Sequence, residues 1–152
     1  MDDTNNYTEY QMPEPDSRLK ALDILVGTWD ITGPDIAGKV TYQWMEGKFF
    51  LIQYVDLEQY GQKMKGMEII GFERGFGDDK PSEDIKSRYF DSVGNTFDYT
   101  YEMEGDLLTI WGGEKGSPAY FKGKFSADGN TNTGAWVYPD GGGYESTMTR
   151  IK

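Results

Sequence analysis

Short runs with the composition of β-strands alternate with turn residues at nearly regular spacing over most of the chain. The turns are rich in Gly, Asn and Asp, and Gly and Asn accept the positive φ that tight hairpins need. Strands are predicted near residues 28–33, 37–45, 48–59, 63–73, 85–91, 96–104, 107–112, 119–126, 131–138 and 143–151. This pattern predicts an all-β, antiparallel up-and-down β-barrel of about ten strands with a short N-terminal helix. The alternative is an immunoglobulin-like sandwich, which usually has fewer strands and longer cross-connections.

The junction between the helix and the first strand is the second constraint on the fold. Ser17 is a candidate N-cap for a short helix from Arg18 to about Leu25, because leucines recur on one side of that segment. Gly27 allows a tight backbone turn, and Trp29 then supplies a large indole that can plug one end of a barrel.

Gly27, Thr28 and Trp29 in the first strand, with Arg150 in the last, resemble the pattern of the calycin superfamily. That superfamily includes lipocalins, fatty-acid-binding proteins and bacterial relatives. The resemblance implies that Arg150 packs over Trp29 where the first and last strands meet, so that Gly27, Trp29 and Arg150 close the barrel. An unrelated β-protein with an ordinary core tryptophan is the alternative.

A narrower resemblance covers residues 17–152. Three segments, 25–29, 134–136 and 144–150, look like those of a bacterial lipocalin-like family of unknown function. Haem-binding barrels with a similar opening hold the haem iron through histidine. The present chain has no histidine, so that activity is not carried over and no cofactor is predicted.

The amino-acid composition excludes several kinds of chemistry. With no cysteine in 152 residues, disulfides, thiolate nucleophiles and cysteine-based metal sites are ruled out. The absence of histidine removes the commonest acid–base group near neutral pH and the commonest metal ligand. The acidic segment 77–84 lacks the repeating ligand spacing of an EF-hand. No metal site and no catalytic residue are therefore assigned.

The charge distribution bears on partners and on domain organisation. A net charge of −11 opposes binding to nucleic acid and to anionic membranes. No apolar run reaches the roughly 20 residues of a membrane span, so the default expectation is a cytoplasmic protein. Residues 1–16 carry five acids and no base, which predicts a disordered acidic N-terminal arm. Residues 17–152 then form a single barrel domain.

Alternation of side chains along the strands predicts which residues face inward. The predicted lining of the barrel is Tyr42, Trp44, Tyr99, Tyr101, Met103, Trp136 and Tyr144. Several tyrosines favour a wet or ligand-facing interior over a filled core, because each buried hydroxyl needs a partner. Arg88 is added as a candidate clamp for a ligand carboxylate, with an ordinary outward position as the alternative.

The segment after Trp44 predicts an apolar stripe on the outside of the barrel. If Glu46 and Gly47 form a two-residue turn, Trp44 faces Phe49, and residues 49, 51, 53 and 55 point inward. Residues 50, 52 and 54 then point outward, and such an apolar stripe favours a homodimer.

Three functions remain compatible with these patterns. The first is binding of a small, mostly hydrophobic molecule, with an acidic head group as one option, inside an aromatic-lined barrel. The second is a cofactor-free isomerase or cyclase that uses Glu102 or Tyr101 as acid or base. The third is a filled barrel that serves as a dimeric interaction protein. A buried carboxylate in the interior would favour catalysis, and its absence would favour binding.

Overall fold

The computed structural model describes residues 13–152, and these form a helix followed by ten strands. The helix spans Ser17–Leu25. The strands are β1 Gly27–Thr32, β2 Ile36–Trp44, β3 Phe50–Gln59, β4 Gln62–Gly71, β5 Ile85–Asp91, β6 Thr96–Glu104, β7 Leu107–Gly112, β8 Tyr120–Phe125, β9 Thr131–Val137 and β10 Gly143–Arg150. Each predicted strand is confirmed, with boundaries that differ by a few residues at most.

The ten strands form one closed, antiparallel up-and-down barrel, as predicted. Each strand pairs with its neighbours in sequence, and β1 also pairs with β10 to complete the ring. Closure leaves no strand edge unpaired. Because the strands alternate in direction, β1 begins at the same end of the barrel at which β10 ends. The helix directly precedes β1 and therefore lies at this end. This closed end contrasts with the open end, which carries the turns after β1, β3, β5, β7 and β9.

The N-terminal helix differs in two respects from the prediction. It is a 3-10 helix, and its N-cap is Asp16 rather than Ser17, since the Asp16 carboxylate accepts a hydrogen bond from the Arg18 N–H. The buried residues Leu19, Leu22 and Leu25 recur every three residues. That spacing matches the three residues per turn of a 3-10 helix and places all three leucines on one face.

Trp29 and Arg150 meet at the closed end, as the calycin resemblance implied. Trp29 is fully buried, and its indole Nε1 donates to the Leu25 carbonyl at 2.7 Å. The Arg150 guanidinium lies 4.2 Å from the centre of the Trp29 ring. It also donates to the carbonyls of Ile24 and Val26, so one side chain joins the last strand to the end of the helix.

The hairpin between β2 and β3 has a longer turn than predicted. Trp44 pairs with Leu51 rather than with Phe49, and Lys48 adopts a positive φ of 62° within the turn. The shift of two residues preserves the alternation, because side chains repeat every second residue along a strand. Leu51 and Val55 are therefore buried inside the barrel, as predicted.

The N-terminal arm predicted for residues 1–16 lies mostly outside the described residues, which begin at 13. Its disorder stays a prediction. Within the described part of the chain, no helix has the length and hydropathy of a membrane span.

Candidate functional site

The barrel encloses a cavity of about 590 Å³. This volume lies within the range of pockets that hold small molecules. Aliphatic side chains such as Ile36, Val40 and Leu57 form part of its wall. Its aromatic lining residues are Tyr42, Tyr89, Phe97, Tyr99, Tyr101, Phe121, Trp136, Tyr138 and Tyr144. The interior is therefore hollow and largely apolar, with hydroxyl groups distributed over its wall.

Several of these rings contact one another and form a continuous aromatic surface. Trp136 lies 5.7 Å from both Tyr99 and Phe121, measured between ring centres. Phe97 stacks on Tyr89 at 5.7 Å and also contacts Tyr99. Ring pairs at these separations attract one another beyond simple burial of area. Their mutual packing holds the wall of the cavity in shape without a ligand.

Most of the predicted lining residues reach the cavity. Tyr42, Tyr99, Tyr101, Trp136 and Tyr144 all contribute to its wall. The other two pack against the core instead. Trp44 lies near the closed end, where its indole Nε1 donates to the Asp23 carboxylate at 2.8 Å, and Met103 lies near the same end of β6. Both side chains follow the predicted alternation but do not border the open space.

The structure places Arg88 and Glu102 on the outer face of the barrel. The Arg88 guanidinium is exposed and pairs with the Glu73 carboxylate at 3.1 Å, so its assignment as a cavity residue is corrected. Glu102 accepts a hydrogen bond from Lys115 at 2.8 Å. Both residues alternate with inward neighbours, and a charged side chain on the water side of a strand avoids the cost of burial. Neither can act on a molecule inside the barrel.

A buried carboxylate, Glu68, lies in the wall of the cavity and was missed by the sequence analysis. Its side chain is 5% exposed. Oε2 accepts hydrogen bonds from the Ser87 hydroxyl at 2.5 Å and from the Tyr101 hydroxyl at 2.8 Å. Oε1 receives no hydrogen bond from the described residues. One oxygen is thus held in place, and the other is left without a donor in a side chain that lines the cavity.

Burial controls the titration of this group and of its neighbours. Removal from water raises the pKa of Glu68 above the ordinary value of 4.5, and the hydrogen bonds from Ser87 and Tyr101 oppose that rise. The pKa values of Tyr42 and Tyr101 are raised by burial and by the nearby Glu68 carboxylate. Both tyrosines therefore remain neutral hydrogen-bond donors throughout the physiological range.

The inward orientation of Glu68 follows from the pairing of β2 with β3 and of β3 with β4. Gln53 was predicted to point inward, and the turn at Tyr60 and Gly61 makes Gln59 pair with Gln62. Counting back along both strands places Glu68 directly opposite Gln53. Cross-strand partners share a face, so an inward Gln53 requires an inward Glu68.

Asn132 is a second buried polar group in the cavity wall. It is 2% exposed, and its amide nitrogen Nδ2 has no hydrogen-bond partner among the described residues. A Cβ atom at Gly123 would lie 2.1 Å from Asn132 Oδ1, so the glycine leaves the space that this amide occupies. Buried polar groups nearly always have a partner, in the protein or in bound molecules. The Asn132 amide is therefore a polar group of the cavity wall whose hydrogen bonding the described residues leave incomplete.

The two polar groups lie on opposite walls. Glu68 belongs to β4 and Asn132 to β9, which are five strands apart in a ring of ten. Among the described residues, the side chains that line the cavity include no lysine or arginine, whereas Glu68 and Asp91 contribute carboxylates. Asp91 is bound at the rim by the backbone N–H groups of Val93 and Asn95. The electrostatic character of the cavity is consequently acidic.

These features define a closed ten-stranded up-and-down barrel with an aromatic cavity and a buried acid in its wall. This architecture is consistent with the calycin-like fold that the sequence pattern implied. Comparison of the chain with protein-family models and with curated proteins finds no match.

Proposed function

We propose that this barrel binds a small, mostly apolar molecule in its interior. The observation that carries the proposal is the hollow, aromatic-lined cavity of about 590 Å³. Hydrophobic and aromatic walls provide buried area, and a few well-placed polar groups orient the ligand. Glu68 and Asn132 supply such groups on opposite walls. Membership of the bacterial lipocalin-like family belongs to the same proposal and agrees with the barrel and its Trp29–Arg150 contact.

The acidic head group considered in the sequence analysis finds no support in the cavity. Its only candidate partner was Arg88, and that side chain points to the outside. A ligand carboxylate near Glu68 would either be repelled by a like charge or require one of the two acids to take up a proton, because two desolvated carboxylates repel one another strongly. The cavity instead favours a ligand that is neutral or that donates hydrogen bonds.

Occupancy of the cavity is tested by blocking it. Ser146 lines the cavity, whereas its neighbour Glu145 is exposed on the other face of β10. We expect Ser146→Trp to weaken binding of 1-naphthalenemethanol, measured by titration calorimetry, by about tenfold or more, because the new indole fills the ligand's space. Glu145→Trp adds the same group outside the barrel and should leave the affinity unchanged.

Native mass spectrometry of protein purified from its own host provides an independent measurement. A co-purifying species of a few hundred daltons, lost in Ser146→Trp and kept in Glu145→Trp, is the expected result. If the two variants bind alike, the ligand site is elsewhere on the molecule.

Acid–base catalysis by Glu68 is the second candidate function. A buried carboxyl group with a raised pKa, hydrogen-bonded to the Tyr101 hydroxyl at 2.8 Å inside a cavity, has the surroundings of a general acid or base. Such a pair can move a proton between two carbon or oxygen atoms of one bound molecule without a cofactor. Loss of turnover with retained binding in Glu68→Gln would distinguish catalysis from carriage.

We also propose that the barrel forms a homodimer through an apolar patch on its outer face. Tyr54, Met67 and Phe90 lie in one row across β3, β4 and β5, and they are 40%, 41% and 52% exposed. Ile52 and Ile69 form the adjacent row. An apolar area of this kind on three neighbouring strands exceeds what isolated surface residues produce.

The dimer is tested by placing a charge in the middle of the patch. Met67→Lys should shift the protein from dimer to monomer in sedimentation velocity at about 10–100 μM, because burial of an unpaired lysine is costly. Thr133→Lys, a substitution at an exposed position on the opposite side of the barrel, is the control. A native protein that sediments as a monomer at all concentrations would contradict the proposal.

A further inference from the structure

We infer that the ligand of this barrel carries a positively charged amine or a related cationic nitrogen, and that Glu68 is the residue that recognises it. This inference rests on the proposed function and names the chemical class of the molecule that the cavity takes. Three independent features of the structure support it.

The first feature is the hydrogen bonding of the Glu68 carboxyl group. Ser87 and Tyr101 both donate to Oε2, and neither contacts Oε1. A purely structural carboxylate in a core would have both oxygens satisfied by the protein. Here the fixed oxygen sets the orientation of the group, and the remaining oxygen is presented to the interior. A charged N–H donor is the strongest partner that this oxygen can receive.

The second feature is the absence of a cationic partner in the cavity wall. A buried carboxylate is costly unless it is paired, and a pair needs a positive charge close by. No lysine or arginine side chain of the described residues belongs to the lining. Glu68 therefore either keeps its proton or is paired by a positive charge that the bound molecule brings.

The third feature is the aromatic wall around the acid. Tyr99, Trp136 and Tyr144 line the same cavity as Glu68, and the faces of electron-rich rings attract cations. The rings also cover the apolar part of an amine-bearing molecule. The net charge of −11, together with Asp91 at the rim, favours the approach of cations over that of anions.

Three naphthalene derivatives of similar size separate charge recognition from binding of an apolar body. They are 1-naphthylmethylamine, 1-naphthalenemethanol and 1-naphthoate, which are cationic, neutral and anionic near neutral pH. Titration calorimetry on the native protein should rank them in that order, with the amine bound about tenfold more tightly than the alcohol. The carboxylate should bind most weakly of the three.

The role of Glu68 is tested with Glu68→Gln, which keeps the size and the hydrogen-bonding oxygen but removes the charge. In this variant the amine should lose its advantage of about tenfold, so that the amine and the alcohol bind with affinities within about twofold of each other. Glu104→Gln removes one charge at an exposed position of β6 and should leave the full preference. Circular dichroism reports whether Glu68→Gln is folded.

The binding results distinguish failure of the cation inference from failure of the proposed binding function. If all three molecules bind with equal affinity, or if Glu68→Gln keeps the preference for the amine, the inference about the cation is wrong and the cavity remains a binding site. If none of the three binds at millimolar concentration, both the proposed function and the inference are contradicted.

Discussion

Replacement of Trp29 by alanine is expected to lower the free energy of unfolding by about 3–5 kcal/mol, because it removes the largest fully buried side chain. The lost indole contacts Phe125 at 6.2 Å between ring centres and leaves the Leu25 carbonyl without its donor. The Arg150 guanidinium also loses the ring beneath it. Chemical denaturation followed by circular dichroism measures the difference.

A second tryptophan provides the control for this experiment. Trp111 lies in β7, is only partly buried, and has Lys115 5.8 Å from the centre of its ring. Trp111→Ala should cost about 1 kcal/mol or less, since surface substitutions have small effects. Trp29→Phe should fall between the two, because phenylalanine fills part of the space but cannot donate to Leu25. Equal losses for Trp29→Ala and Trp111→Ala would show that Trp29 has no special role in closing the barrel.

The barrel could be predicted from the sequence because its main constraints are local. A turn such as Tyr60–Gly61, where both residues have positive φ, joins two neighbouring strands through residues that are adjacent in the sequence. Nine consecutive hairpins lead to an up-and-down sheet, and the only long-range contact that must be added is between β1 and β10. The Gly27–Trp29 segment and Arg150 supplied that contact through the calycin resemblance.

The lining of the cavity was predictable where the alternation of apolar and polar residues is clear. In β6, Tyr99 and Tyr101 alternate with polar neighbours, and both reach the interior. Depth along the barrel is a different matter, because alternation determines which face a residue belongs to and not how far it lies from the open end. Trp44, beside the helix at the closed end, points inward without touching the cavity. Met103 also packs against the core, although Leu108 opposite it lines the cavity.

The polar groups inside the barrel were not predicted as lining residues, because a polar side chain on a strand is ordinarily assigned to the side that faces water. Glu68 stands between Met67 and Ile69, so the simplest interpretation of its strand places the apolar neighbours inside. Asn132 lies between two threonines, and only its spacing of four residues from the inward Trp136 places it on the inner face. Only the pairing of Gln53 with Glu68 reverses the first assignment. Inward polar residues of this kind reduce stability and are expected mainly where a protein has a function to perform.

The cost of Glu68 to stability should appear as a dependence on pH. Its pKa is raised in the folded protein by burial, so the folded state holds the proton more tightly than the unfolded chain does. The contribution of Glu68 to the free energy of unfolding is then most favourable below the ordinary pKa of 4.5. It falls as the pH rises through the raised pKa of the folded state. Above that second value the carboxylate is charged in both states, and the loss stays constant.

Glu68→Gln should remove this loss, and comparison with the native protein isolates it from other titrating groups. We expect the two proteins to have similar stability near pH 4 and the variant to be more stable by about 1–3 kcal/mol near pH 8, since an unpaired buried charge is absent from it. Urea denaturation at a series of pH values measures the difference. Glu104→Gln, at an exposed position, should show no such trend.

The same measurement with 1-naphthylmethylamine present connects stability to binding. A cation beside Glu68 pairs the charge that is costly in the empty barrel, so the amine should stabilise the native protein more near pH 8 than near pH 5. In Glu68→Gln the stabilisation by the amine should be small and nearly independent of pH over this range. The contrary result is a difference in stability between the native protein and Glu68→Gln that is the same near pH 4 and near pH 8. It would mean that the Glu68 carboxylate is already compensated within the barrel and has no need of a cationic ligand.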